Sequence, residues 1–330
     1  MGLRRRSIRL RIFLLVAIPI LALIGLYAFA ATTTASAAIS LARSRTVKNV
    51  TGLPIGALET QVDTERLLAS VYLAAPVPQD LALLRAQEQK TNRARVAFRS
   101  AVNAPSAMAS ESLPEKQAVA AMLKAVAGLA TVRSEVTALT ISRTQAIDAY
   151  GGVITAADNV LNQLILEQAN IPLVSQGLAL VSMGKSEEVL LQEDALLTGD
   201  LFARSFSAAD RQQFAELAGA RRTIYAQTLP DLDPIYRSYY TGDVSPAASA
   251  ALTALENKVI ATPHPHGAPP VSPTSWAQAV GAVSAGSARA GKQAADELTV
   301  RAQPVARATF LRLFVVGGLG LLAVLLSIIM

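Results

Sequence analysis

The chain opens and closes on apolar runs and is amphipathic between them. Residues Ile12 to Ala31 (IFLLVAIPILALIGLYAFAA) carry no charge, and charge-free sequence continues to Ala42. About 20 apolar residues rising ~1.5 Å each cover the ~30 Å hydrocarbon core of a bilayer, so 12–31 reads as a transmembrane helix. Leu313 to Met330 (LFVVGGLGLLAVLLSIIM) is a shorter run, still within the usual range of about 17–25 residues. Arg4, Arg5, Arg6, Arg9 and Arg11 precede the first run, and basic residues beside a span stay on the cytoplasmic side. The pattern predicts a basic cytoplasmic tail at 1–11, spans at 12–31 and 313–330, and an extracytoplasmic domain at 43–312, in a multi-pass protein of the cell membrane. A cleaved signal peptide is the competing reading, because Ala28-Phe29-Ala30 fits an A-x-A site; the run, however, exceeds the ~7–15 residues of an h-region.

Between the runs, Ala, Leu, Gln, Arg and Glu dominate and alternating β-branched segments are scarce, which favours helix nearly throughout. Proline and glycine punctuate it. Pro54 fits the first turn of one helix, and Pro76 and Pro78 end it. Asp80 caps a second, to about Val102. Ser112 with Pro114 opens a long segment reaching about Asn170, with a break expected near Gly151-Gly152, and Pro172 starts another. Ser207 caps a helix ending before Pro230, Asp231 to Pro234 forms a turn, and helix resumes from Ala247 to Ala261. Thr262 to Pro273 (TPHPHGAPPVSP) is a surface loop. From Trp276 one helix runs on into the second apolar run, with a kink expected at Pro304. The expected fold is all-α: two packed helical bundles outside the membrane, bracketed by two transmembrane helices.

A weak internal repeat supports two bundles. Aligning Glu65-Arg66 with Glu193-Asp194 also pairs Leu68 with Leu196, Ser70 with Thr198, Leu73 with Leu201 and Ala75 with Ala203, and each copy is followed by another amphipathic helix. In the first copy Leu58, Val62, Ala69 and Leu73 form an apolar stripe, with Arg66 on it. In the second, Leu190, Leu197 and Leu201 do the same around Asp194. A charge on a buried face costs several kcal/mol unless it is paired, so each residue implies a partner. Arginine suits an oxyanion, since its planar fork gives two parallel hydrogen bonds. The plainer alternative is a salt bridge, or an arginine whose stem packs while its head reaches water.

Charge and composition narrow the chemistry. The five arginines of the tail account for most of the net charge of +6, and no aromatic residues interleave with basic ones, so no nucleic-acid surface is expected. The absence of cysteine excludes disulfides, thiolate nucleophiles and thiolate metal sites.

Three stretches resemble the nitrate- and nitrite-sensing domain of bacterial receptors, especially actinobacterial-type sensor histidine kinases. They are QVDTERLLASVYLA at Gln61 to Ala74, the segment from Lys185 to Pro234 that begins KSEEVLLQEDALLTGDLFARSF, and the Trp276 helix. The resemblance implies two bundles binding an anion such as nitrate or nitrite between them, with one arginine from each repeat. Arg66 matches the first position. Asp194 stands at the second, where it would repel nitrate and could pair with Arg66 instead; another small polar ligand is the alternative. Arg143, Arg221 and Arg222 are further candidate anion ligands, with solvated helix faces as their plainer role. Sensors of this layout are expected to form homodimers. Histidine kinases continue past the second span, so the chain is expected to be an input module, a fragment or the product of a split gene.

Enzyme signals fail. Gly184-Lys185-Ser186 lacks the upstream glycine of a phosphate-binding loop, and Ser182 with Lys185 lacks the companion elements of acyl-transfer enzymes. His264 and His266 lie in a proline-rich loop with no carboxylates nearby, and Gly317, Gly318 and Gly320 suit helix packing. No catalytic residue, cofactor or metal is expected. Two functions remain: a sensor whose ligand prefers one bundle arrangement and so moves the helix from Trp276, and a membrane-tethered helical scaffold with no small ligand.

Overall fold

The computed structural model describes residues 52–108, 112–167, 171–262 and 267–329, with 302–329 described by their backbone alone. Among these residues every regular element is helical: α1 (Leu53–Ala74), α2 (Pro78–Val102), the short α3 (Pro105–Met108), α4 (Leu113–Ala138), α5 (Arg143–Leu166), α6 (Ile171–Ala203), α7 (Ala208–Asp231), α8 (Pro234–Asp243), α9 (Pro246–Ile260) and α10 (Pro273–Ile329). The described residues from Gly52 to Thr299 belong to one compact unit.

The expected placement in a membrane is corrected. Among the described residues no helix is long and apolar enough to cross a membrane, so the bracketing spans are not supported. The first expected span, 12–31, and the tail at 1–11 lie outside the described residues. The second, 313–330, falls where α10 is described by its backbone alone, to Ile329.

Local signals set most boundaries. Proline occupies the first turn of α1, α2, α4, α8 and α9, where its missing N–H is not needed. Ser112, Ser142 and Ser207 each close a capping box, with Glu115, Gln145 and Asp210 as the reciprocal partners. Asp80 is not a cap: α2 starts at Pro78, and Asp80 lies in its first turn, where its charge suits the helix dipole. The break expected at Gly151-Gly152 falls instead at residues 139–142. There Leu139 turns left-handed at φ 57°, and Leu139 and Thr140 donate to the carbonyls of Val136 and Glu135. Pro230 lies inside the last turn of α7, and α8 follows where only a turn was expected.

The first bundle, α1, α2, α4 and α5, closes on Leu58, Val62, Phe98, Met122, Leu129 and Tyr150. The second, α6, α7, α9 and the start of α10, closes on Leu190, Leu197, Phe206, Phe214 and Trp276. Where α8 joins it, Tyr236 and Tyr240 pack with Met183, Ala290 and Ala294. Helices α1 and α5 both pack on α6, joining the bundles. The seam is tight at Gly199, where an added Cβ would stand 2.6 Å from the Ser70 hydroxyl of α1.

Candidate functional site

Arg66 lies on the seam. The stripe expected on α1 is buried, with Leu58, Val62 and Ala69 fully covered and Arg66 itself 1% exposed. Its head reaches the other bundle. Nη1 donates to Glu188 Oε1 at 2.5 Å, and Nη2 donates to Glu188 Oε2 at 3.0 Å and to Asp63 Oδ1 at 2.8 Å. The forked geometry suited to an oxyanion is thus filled by a carboxylate of the protein. Nε, buried, has no hydrogen-bond partner among the described residues. Gly151 of α5 keeps this space open, since a Cβ there would stand 3.3 Å from Gln192 Nε2, which donates to Glu188 Oε1.

The surroundings are acidic. Burial pushes Glu59 up to about 8, helped by the charges of Asp158, Asp63 and Glu188. Burial also lifts Asp63 to about 8, against the pull of Arg66. Asp158 is raised to about 6 by burial, with Lys185 opposing. One arginine therefore faces several carboxylates that resist ionising together, and an added anion meets their field.

Asp194 does not bond to Arg66. Its Oδ1 accepts from Trp276 Nε1 at 2.8 Å and from Thr198 Oγ1 at 2.9 Å, tying α6 to the start of α10. Burial raises its pKa while these two bonds and the charge of Arg66 oppose the rise. Arg66 and Asp194 are thus close enough to interact electrostatically, but each has its own partners.

The repeat holds most clearly one residue earlier. Glu65 and Glu193 are both fully buried, and each is met by an arginine of its own bundle. Arg133 grips Glu65 through Nε at 2.7 Å and Nη2 at 2.8 Å, with the Tyr150 hydroxyl donating to the same carboxylate at 2.9 Å. Arg221 donates through Nε to Glu193 at 3.0 Å, and Arg221 and Arg222 both hold the buried Glu256. Arg143 pairs with the buried Asp200 across the seam. The solvated role expected for Arg143, Arg221 and Arg222 is therefore corrected: all three are committed to buried carboxylates.

Sequence reasoning missed Glu188, Asp63 and Glu65. The identity of Glu65 with Glu193 in the repeat was a usable signal; nothing in the sequence pairs Glu188 with a residue 122 positions away. Among the described residues no group of three or more His, Cys, Asp or Glu could hold a metal ion. His264 and His266 lie outside the described residues.

An all-helical pair of bundles with a buried arginine on their seam defines a class of two-bundle helical domain. The family model for nitrate and nitrite sensing matches residues 57–299, and the chain belongs to that family. It is a sensing family rather than a catalytic one. Among solved structures, the NasR transcription antiterminator is similar over 89% of this chain and 82% of that one, with a TM-score of 0.66 and 18% identity, a likeness of fold. A search of curated proteins finds no match.

Proposed function

We propose that the chain is the ligand-sensing part of a two-component-type receptor, in which a small polar ligand at the Arg66 seam favours one arrangement of the bundles. That preference moves α10 against α6 and passes the signal to an output of the histidine-kinase type. What supports the reading is the family together with one observation: Arg66, buried in one bundle, is held by Glu188 of the other, so any oxyanion that takes the fork must break the link between them. Nitrate or nitrite is the expected ligand class, bound weakly because Glu188 competes for the fork and Asp63 and Glu59 would have to stay protonated beside a further negative charge. The homodimer expected of such sensors belongs to the same reading, and light scattering measures it.

Trp276 is the chain's single tryptophan, and its indole bonds Asp194 of α6, so its fluorescence reports the α6–α10 contact. Nitrate is titrated into the chain by calorimetry and by Trp276 emission, alongside Glu188→Gln, Asp194→Arg and Arg66→Ala. The expected result is weak binding by the parent chain, tighter binding by Glu188→Gln and none by Arg66→Ala, with emission changing as nitrate binds. Unchanged nitrate affinity in Arg66→Ala would sink the assignment. A second reading, a helical interaction module with no small ligand, draws on the same saturated fork; silence of both readouts towards anions and small polar metabolites would favour it.

A further inference from the structure

The second bundle contains a cavity of about 240 Å³, away from Arg66, to which α6, α7, α8, α9 and α10 all contribute. It exceeds the ~150 Å³ at which an apolar protein cavity admits benzene. Met183, Leu190 and Val283 give it hydrocarbon wall. Its charges do not balance. Arg221 and Arg222 line one side, but their guanidinium groups are committed to Glu193 and Glu256. Glu187 lines the cavity with only the Ser284 hydroxyl donating to it, at 3.0 Å, and among the described residues no cationic side chain pairs with it. Tyr240, 4% exposed, also lines the cavity and lies within the electrostatic reach of Glu187. Among the described residues its hydroxyl makes no hydrogen bond, although the residue as a whole is buried. A carboxylate without a counter-charge and a hydroxyl without a partner both face a space with apolar walls.

We propose that this cavity binds a small organic ammonium ion, its nitrogen on the Glu187 carboxylate and the Tyr240 hydroxyl, and its hydrocarbon body against Met183, Leu190 and Val283. Around Glu187 the two cations of the lining, Arg221 and Arg222, are held by Glu193 and Glu256, and the other charged neighbours are acidic. Glu188 adjoins it on α6, Glu59 and Asp63 of α1 are its electrostatic neighbours, and Tyr225 of α7 and Tyr240 of α8 line the same space; α9 and α10 contribute hydroxyl and apolar side chains there. Burial and the charge of Glu188 hold Glu187 up at about 7, so an arriving cation displaces a proton and its affinity rises with pH through neutrality.

Three probes of one shape test it on the full chain by calorimetry: benzylamine, benzyl alcohol and benzoate. Benzylamine is expected to bind best and benzoate not at all. Glu187→Gln is expected to weaken benzylamine at least about tenfold and to abolish the rise in affinity with pH. Tyr240→Phe, which deletes one oxygen, is expected to weaken it severalfold and keeps the test open should Glu187→Gln fail to fold. Preference for benzoate, equal affinity of the parent chain and both variants, or no binding of any probe would overturn the proposal.

Discussion

The guanidinium of Arg66 on α1 holds both carboxylate oxygens of Glu188 on α6, at 2.5 and 3.0 Å. Its side chain is fully buried, while those of Asp63 and Glu188 are 17% and 12% exposed. The arginine thus has no recourse to water, and the carboxylates keep some. Arg66→Met deletes the positive charge and leaves Asp63, Glu188 and Glu59 facing one another. Breaking a buried pair from one side costs about 3–5 kcal/mol. The loss is expected to be larger at pH 9 than at pH 5: burial keeps Glu59 and Asp63 protonated at pH 5, whereas above about 8 they ionise, and Asp63 then lacks the Arg66 charge that opposes its rise. Urea unfolding at the two pH values measures the difference; an equal loss would mean that Arg66 does not compensate this cluster.

The parent chain has a pH dependence of the same origin. Glu59, Asp63 and Glu193 are held near 8, and Glu187 and Asp200 near 7, all above their ordinary values and all chiefly by burial. A carboxyl whose pKa is higher folded than unfolded binds more protons in the native state between those two values, so stability falls as pH rises across that interval. The denaturant midpoint is expected to decline steadily from about pH 4 to about pH 8, the span between ordinary carboxyl values and the raised ones. Glu59→Gln, which removes a member with no hydrogen-bond partner among the described residues, is expected to flatten the decline. A midpoint that rises over this range would contradict the preference of these buried groups for their neutral form.

Glu65 and Arg133 show a different balance. Glu65 is fully buried and accepts from both Arg133 and Tyr150, while Arg133 is 16% exposed and also donates to Asn92 at 2.9 Å. Removing the arginine alone strands a dry carboxylate. Arg133→Met is expected to cost about 3–5 kcal/mol, and adding Glu65→Gln to recover a large part of it, because paired removal leaves no unmatched charge. Thermal unfolding of the two single variants and the double variant gives the coupling. Additive losses would show that the pair does not act as a unit.

These relationships mark where the sequence was readable. The stripe of Leu58, Val62 and Ala69 placed Arg66 on a buried face correctly, because helical periodicity is local information. Capping at Ser112 and Ser207 was equally local. The break at Leu139 was not visible: glycine is the usual residue for a left-handed turn, and here a leucine adopts it while Gly151 stays helical to let Arg66 and Gln192 approach. Site partners depend on which helices meet. Asp194 carried the right sign to pair with Arg66, but the indole of Trp276 claims it, and Glu188, six residues nearer the start of α6, takes the arginine. The apolar runs were read for length, hydropathy and flanking charge, and among the described residues no helix supports their reading as membrane spans.

Gly199 offers a test of the seam without touching a charge. An alanine there would place its Cβ 2.6 Å from Ser70 Oγ and 3.0 Å from Arg143 Nη1. Neither neighbour is free to swing away, since Ser70 donates to the Ala195 carbonyl at 2.6 Å and Arg143 is tied to Asp200. On an open helix face, Gly→Ala would gain about 1 kcal/mol of helix propensity. Here overpacking costs about 1–3 kcal/mol, so Gly199→Ala is expected to destabilise on balance. Ser70→Ala alone loses one hydrogen bond, about 1 kcal/mol, and removes the nearer clash. The double variant is therefore expected to be more stable than the sum of the single losses by at least about 0.5 kcal/mol. Strict additivity in urea unfolding would mean that α1 and α6 move apart to admit the methyl group, and that the seam is looser than the Ser70–Ala195 bond implies.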